Sequence, residues 1–216
     1  GSDLHAWHGK FKTTQLGGSL PTVLGHEMVG SVEALGEGVT SDTNGLPLKV
    51  GDRVAYTYFT GCGKCYQCLH GHRVACANLK MAMLGNAEQW PHFVGGYADY
   101  FYVYPGSTIY KVSEDIPDEL AAGANCALSQ VIFGFQRAQL QFGDVVVIQG
   151  AGGLGLYAAG VAKAAGAAKV IVLDAVPDRL DLARRFGADH TINITDFPEF
   201  KARLKEVKRF TGPRGA

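Results

Sequence analysis

The apolar positions change rhythm near Leu140. Before it they come in short, often alternating runs, at 27–35, 53–59 and 97–103, separated by Gly, Pro, Asn and Asp. Period-two runs at that spacing predict a β-rich domain of barrel or sandwich type, with turns at Asn44-Gly45 and Gly51-Asp52. After Leu140 the pattern becomes strand and helix in alternation. Residues 145–149 form a continuous apolar run, as in a strand buried on both faces. An Ala-rich helix over 153–165 follows, then a second buried strand at 169–173. Pro177 opens a helix that runs over 178–186. A third strand at 191–194 and a helix over 197–210, stopped by Gly212-Pro213, complete the series. This order predicts βαβ units and a parallel sheet, hence an α/β chain with domains at 1–139 and 140–216.

Composition narrows the function. The 20 basic and 20 acidic side chains cancel, so the basic excess of a nucleic-acid binder is missing. No apolar run reaches the roughly 18 residues a membrane helix needs, and the N-terminal residues do not read as a signal peptide. The expected location is the cytoplasm. Five cysteines do not make a disulfide framework, and four of them cluster in one short loop, which points to metal in a reducing compartment. The sequence does not begin with Met, and a doubly wound dinucleotide domain has a second half that is not seen after 216. The chain is therefore expected to be a piece truncated at both ends.

Gly150-Ala151-Gly152-Gly153-Leu154-Gly155 fits G-x-G-x-x-G directly after a buried strand and at the opening of a helix. Asp174 ends the next strand, 19 residues after Gly155. Together these form a dinucleotide fingerprint: glycines for the turn, for backbone approach to the pyrophosphate and for close helix packing, and a helix N-terminus to stabilise the anion. Asp174 would accept hydrogen bonds from ribose hydroxyls and repel a 2′-phosphate, so NAD is expected rather than NADP.

Cys62, Cys65, Cys68 and Cys76 read C-x2-C-x2-C-x7-C. Four thiolates in one loop close a tetrahedral site with no open position, the mark of structural zinc. A ferredoxin run would continue x3-C-P. Here the gap is seven residues, and Ala77 follows the last Cys. A zinc ribbon would pair two distant knuckles.

Two further residues carry possible chemistry. His26 lies in Gly25-His26-Glu27 at the head of a strand, and Cys126 lies in Ala124-Asn125-Cys126-Ala127-Leu128. Taken alone, each also fits a core role, His26 as a hydrogen-bonded histidine and Cys126 as a small apolar residue. The order and spacing of all these pieces, however, resemble the zinc-dependent medium-chain alcohol dehydrogenases. That family has Cys-x-[Ser/Thr]-Asp, then Gly-His-Glu, a four-Cys loop, a later Cys and a G-x-G-G-x-G turn. Gly1-Ser2-Asp3-Leu4-His5 reads as the first segment starting one residue after its Cys.

The resemblance implies a GroES-like β-rich catalytic domain followed by the first half of a Rossmann domain. It implies His26 and Cys126 as catalytic zinc ligands, with Glu27 as a carboxylate that approaches the metal and Asp3 as the group orienting His26. It implies Ser2 and His5 as a proton path, Cys62, Cys65, Cys68 and Cys76 as structural zinc ligands, and Gly150, Gly152, Gly153, Leu154, Gly155, Asp174 and Arg179 as cofactor contacts. Gly1 stands where some members have a basic residue, and Gln130 where many have Thr. The implied enzyme passes a hydride between a small alcohol or carbonyl substrate and NAD(H), as a homo-oligomer without nucleic-acid or membrane partners. The alternative is a zinc-stabilised NAD-binding protein without turnover. The 216 residues alone are expected to be inactive. Trp7, Phe59, Trp90, His92 and Phe93 are candidate substrate lining, with a core position as the commoner alternative for aromatics.

Overall fold

The computed structural model describes residues 1–10, 12–212 and 215–216. The chain divides into two compact units, Gly1–Cys126 and Ala127–Ala216. The first opens on helix α1 (Ser2–Trp7) and a 3-10 turn at Thr13–Leu16. Strands β1 (Val29–Ser31), β2 (Arg53–Tyr56) and β3 (Phe59–Thr60) follow, then helix α2 (Tyr66–Leu69), strands β4 (Lys80–Met81) and β5 (Ile109–Lys111) and helix α3 (Asp118–Ala121). β2 is the middle of an antiparallel sheet, with Val29 opposite Ala55 on one side and Ile109 opposite Tyr56 on the other. β3 pairs with β4, placing Phe59 opposite Met81.

The alternation in β2 decides its packing. Val54 and Tyr56 turn inward onto a core of Met28, Val32 and Leu48, while Arg53 leaves the sheet to bind the carbonyls of Ser113 and Ile116 and the Asp118 carboxylate. The expected turn at Asn44-Gly45 is present because Asp42 accepts the amides of Asn44 and Leu46, both at 2.9 Å. The same carboxylate reaches the Lys111 amide at 3.1 Å, tying this turn to β5.

The second unit contains α4 (Ser129–Ala138), β6 (Val145–Gln149), α5 (Gly153–Ala164), β7 (Lys169–Asp174), α6 (Pro177–Arg185), β8 (His190–Asn193) and α7 (Phe200–Thr211). Its three strands are parallel in the order β6-β7-β8. β7 is buried on both faces, as its unbroken apolar run requires. Val170 and Val172 pack with Ala159 and Ala162 of α5 and Ala183 of α6. Ile171 and Leu173 face Ile192, Val207 and Phe210 on the other side. Alanine at 159 and 162, both fully buried, lets α5 lie close on the sheet. Lys169 Nζ donates to the Phe210 carbonyl at 2.7 Å, satisfying an end group of α7.

Three features depart from the sequence pattern. The run at 97–103 forms no strand. It follows Gly95-Gly96 and is held by isolated bonds, such as Tyr102 N–H to the Phe93 carbonyl at 3.0 Å, rather than by a ladder. β5 and α4 are strand and helix that the pattern did not single out. α4 packs Phe135 onto the α5 core of the second unit, although it precedes the change of rhythm at Leu140. Gly212 ends α7 with a φ of 74°. Pro213, the other half of that stop signal, lies outside the described residues.

Candidate active site

The backbone that presents His26 is pinned by a close crossing. Gly25 has φ +100°, and a Cβ there would stand 2.7 Å from the Tyr97 amide nitrogen. Gly96 N–H donates to the Gly25 carbonyl at 2.9 Å and Tyr97 N–H to the Leu24 carbonyl at 3.0 Å. A side chain at Gly25 would push the two segments apart. His26 itself is buried. Asp3, also buried, reaches it from the first turn of α1. One carboxylate oxygen accepts the Gly25 N–H at 3.1 Å, and the other stands 2.8 Å from His26 Nδ1. That contact is close but out of line with the ring N–H, so Nδ1 lacks a well-formed hydrogen bond. The carboxylate thus pins the Gly25 backbone and places its charge against Nδ1, leaving Nε2 as the nitrogen for a metal.

Cys126 comes from a single π-helical turn, Ala124–Leu128. Such turns widen a helix locally and are frequent at functional sites. The neighbouring Asn125 anchors the turn by donating to the Tyr56 carbonyl at 2.9 Å. Tyr58 joins the two candidate ligands: its ring meets His26 edge-on at 5.1 Å, and its hydroxyl hydrogen-bonds the buried Cys126 side chain. Burial pushes the Tyr58 phenol up to about 12, and the negative charge at Cys126, Glu27 and Asp3 acts in the same direction. The buried imidazole and the buried thiol that Tyr58 contacts are donor types that suit zinc. Glu27 is exposed, as are Ser2 and His5.

A cavity of about 150 Å³ opens beside His26. Its lining mixes polar side chains, among them Ser2, Asp3, Thr13 and His26, with apolar ones such as Leu16 and Met83. None of the five candidate aromatics lines it. Trp7 and Trp90 are 79% and 72% exposed and Phe93 is half exposed.

In the cysteine loop all four Sγ atoms lie within 4.8 Å of one another. Among the described residues this is the only set of three or more such side chains gathered tightly enough to hold an ion together. Cys65 and Cys76 Sγ are 3.7 Å apart, close to the tetrahedral edge of about 3.8 Å that a zinc–sulfur bond of about 2.3 Å implies. Backbone amides of Cys62 and Asn78 each point at Cys76 Sγ from 3.3 Å. Amides of Lys64 and Cys65 hold the Cys62 thiol down to about 6, favouring the thiolate, whereas burial pushes Cys68 up to about 11. Four sulfurs this close, with amides aimed at them, fit one tetrahedral metal ion.

The glycine turn links β6 to α5. A Cβ on Gly155 would lie 1.9 Å from the Gly150 carbonyl oxygen, so only glycine lets the helix start this near the strand end. Cβ atoms at Gly150, Gly152 and Gly153 would meet nothing within 4 Å, which leaves an open cradle above the N-terminus of α5. Asp174 accepts the Ala151 amide at 2.7 Å and the Val176 amide at 2.8 Å. These bonds, the Ala151 one foremost, hold its carboxyl below the usual range, with exposed Arg179 adding to the effect.

The match to known proteins follows the same division. Residues 1–114 match the model of the alcohol dehydrogenase GroES-like domain, and residues 153–216 that of zinc-binding dehydrogenase. The chain belongs to the zinc-binding medium-chain dehydrogenase family. It is 37% identical to a 5-exo-hydroxycamphor dehydrogenase of Pseudomonas putida over the whole chain and 58% of that protein. It is 33% identical to an L-threonine 3-dehydrogenase of Sinorhizobium fredii over 98% of the chain and 55% of that protein. An alcohol dehydrogenase structure from Thermotoga maritima superimposes with a TM-score of 0.88 at 33% identity, covering 97% of this chain and 57% of that one. The chain thus spans little more than half the length of the relatives it matches.

For a zinc-binding dehydrogenase, the structure brings together most of what the pattern singled out. In the first unit Asp3 meets His26 and Tyr58 touches both His26 and Cys126, the four cysteines close on one point, and Asp174 reaches the glycine turn. Glu27 stands outside the buried cluster. Tyr58, Met81 and Met83 were missed, although Tyr58 continues the inward alternation of Val54 and Tyr56.

Proposed function

We propose that the whole protein is a zinc-dependent oxidoreductase that passes a hydride between an alcohol or carbonyl substrate and NAD(H). What carries the reading is Asp3 meeting His26 at the wall of a cavity that Ser2 also lines, with Tyr58 touching both His26 and Cys126. His26 and Cys126 would hold the catalytic zinc, with Glu27 acting during ligand exchange. Cys62, Cys65, Cys68 and Cys76 would hold a structural zinc. Bound zinc supplies a Lewis acid for the substrate oxygen, and the nicotinamide accepts or returns the hydride.

The chain's own residues do the rest. Asp3 holds His26 in one tautomer and orientation. Ser2 takes the alcohol proton, and His5, exposed on the same helix, hands it to solvent. Gly150, Gly152, Gly153, Leu154 and Gly155 bring backbone amides to the pyrophosphate. Asp174 selects NAD over NADP through the ribose hydroxyls, and Arg179 flanks the adenosine ribose. The zinc ligands fall within 1–139 and the cofactor residues within 140–216, the functional division we assign, with α4 packing in the second unit. No helix among the described residues is long and apolar enough to cross a membrane. A cytoplasmic homo-oligomer is the setting we infer. By their names, relatives act on substrates as unlike as 5-exo-hydroxycamphor and L-threonine.

Zinc content of the whole protein tests this reading. Two zinc ions per chain, falling to one in Cys126→Ala with loss of alcohol oxidation, is the expected result. One zinc, unchanged by the substitution, would remove the catalytic site.

A further inference from the structure

Tyr58 lies just beyond β2 and has no part in the chemistry assigned so far, yet it is held firmly. Its carbonyl accepts the Ala82 N–H at 2.8 Å, tying it to the turn at Ala82–Leu84. Its ring packs on the core beneath β2 and meets Phe59 edge-on at 5.2 Å. It meets His26 edge-on as well, at 5.1 Å. The hydroxyl at the end of this fixed ring hydrogen-bonds the Cys126 side chain. Two residues earlier, the Tyr56 carbonyl accepts the Asn125 side chain at 2.9 Å. Consecutive residues of the π-helical turn are thus clasped on either side of Thr57, one through backbone and one through a side chain. The Asn125 bond satisfies a carbonyl at the end of β2 and anchors the turn. The Tyr58 hydroxyl has no such structural use, since a phenylalanine ring would fill the same space against His26 and Phe59.

Its use is chemical. A thiol that coordinates a metal gives up its proton and becomes an acceptor. The phenol, a weaker acid than a thiol, keeps its proton and donates. A hydrogen bond to a ligating sulfur draws electron density from it and fixes its direction, as partners behind a metal ligand generally do. We propose, resting on the dehydrogenase reading above, that Tyr58 is a positioning residue for the catalytic zinc: its hydroxyl donates to the Cys126 thiolate, aiming the sulfur and moderating its donor strength, while its ring steadies the His26 imidazole. One side chain thereby couples two ligands that lie far apart in sequence. Tyr58→Phe separates the two parts of this role. It keeps the ring against His26 and removes the one oxygen that reaches Cys126.

The test uses the whole protein with cobalt(II) in the catalytic site and zinc left in the cysteine loop. Comparison with Cys126→Ala identifies the sulfur-to-cobalt charge-transfer band that belongs to Cys126. In Tyr58→Phe that band should move to longer wavelength, because a thiolate relieved of its hydrogen bond donates more strongly. Competition with a chromophoric chelator should show the catalytic metal held about 10-fold less tightly, with the loop metal unaffected. A ring that only fills space would leave the band where it is. An unmoved band therefore overturns the inference, whatever happens to alcohol oxidation, and leaves the dehydrogenase reading intact. Absence of any Cys126-dependent cobalt band in the unsubstituted protein would overturn the inference together with the reading it rests on.

Discussion

Asp3 takes no proton and touches no substrate in the proposed chemistry, yet it is the residue on which the His26 geometry depends. Asp3→Asn keeps the shape and removes the charge that faces Nδ1. It should weaken the catalytic zinc by about 10- to 100-fold, read by competition with a chromophoric chelator, while the cysteine-loop zinc stays bound. At this scale the sequence is legible where chemistry restricts residue type. Asp3, His26, Cys126 and the four loop cysteines stand out because few other side chains do their work. The cavity lining does not stand out. Met81, Met83 and Leu84 are ordinary apolar residues, and only the chain path shows that they border a space rather than a core. Of the aromatics considered for it, Trp7 and Trp90 lie in the open.

Elements follow the same logic of restriction. β6, β7 and α5 could be read almost to the residue, because a strand buried on both faces and a helix packed through alanine leave unbroken signatures. The glycine turn between β6 and α5 is the tightest point. Gly155→Ala places a methyl group against the Gly150 carbonyl and should cost at least ~2 kcal/mol. Thermal melting would record the loss, and NADH fluorescence titration the accompanying loss of affinity. The short elements were harder. β5 has three residues, too few for a period to declare itself. The Ala124–Leu128 turn and α4 lie in a stretch of small and apolar residues that mixes both periods. At 97–103 the alternation is real, but Gly95 and Gly96 commit the preceding backbone to crossing Leu24 and Gly25 instead of joining a ladder.

For the whole molecule, stability rests on charges and metal as well as on the two cores. Asp42, Asp52 and Asp174 all sit below the ordinary value of 3.8, through the Lys111 amide, the Lys111 side chain and the Ala151 amide respectively. Folded values below unfolded ones mean that their contribution is complete above the unfolded value and disappears as pH falls through the folded ones. The melting temperature should therefore be level above about pH 5 and drop on acidification below 3.8. A strong chelator acts elsewhere. Stripping the metal should leave four thiols in a loop with little apolar packing of its own, and amide exchange should accelerate over 62–76 before the sheets are affected. The Asp174 clasp on the Ala151 amide carries a consequence for redesign. Replacing Asp174 to admit a phosphorylated cofactor would also unfasten the glycine turn in the empty protein. A cofactor-swapped variant would thus start from a looser apo state, and selection for the new specificity would first have to recover rigidity lost with one carboxylate.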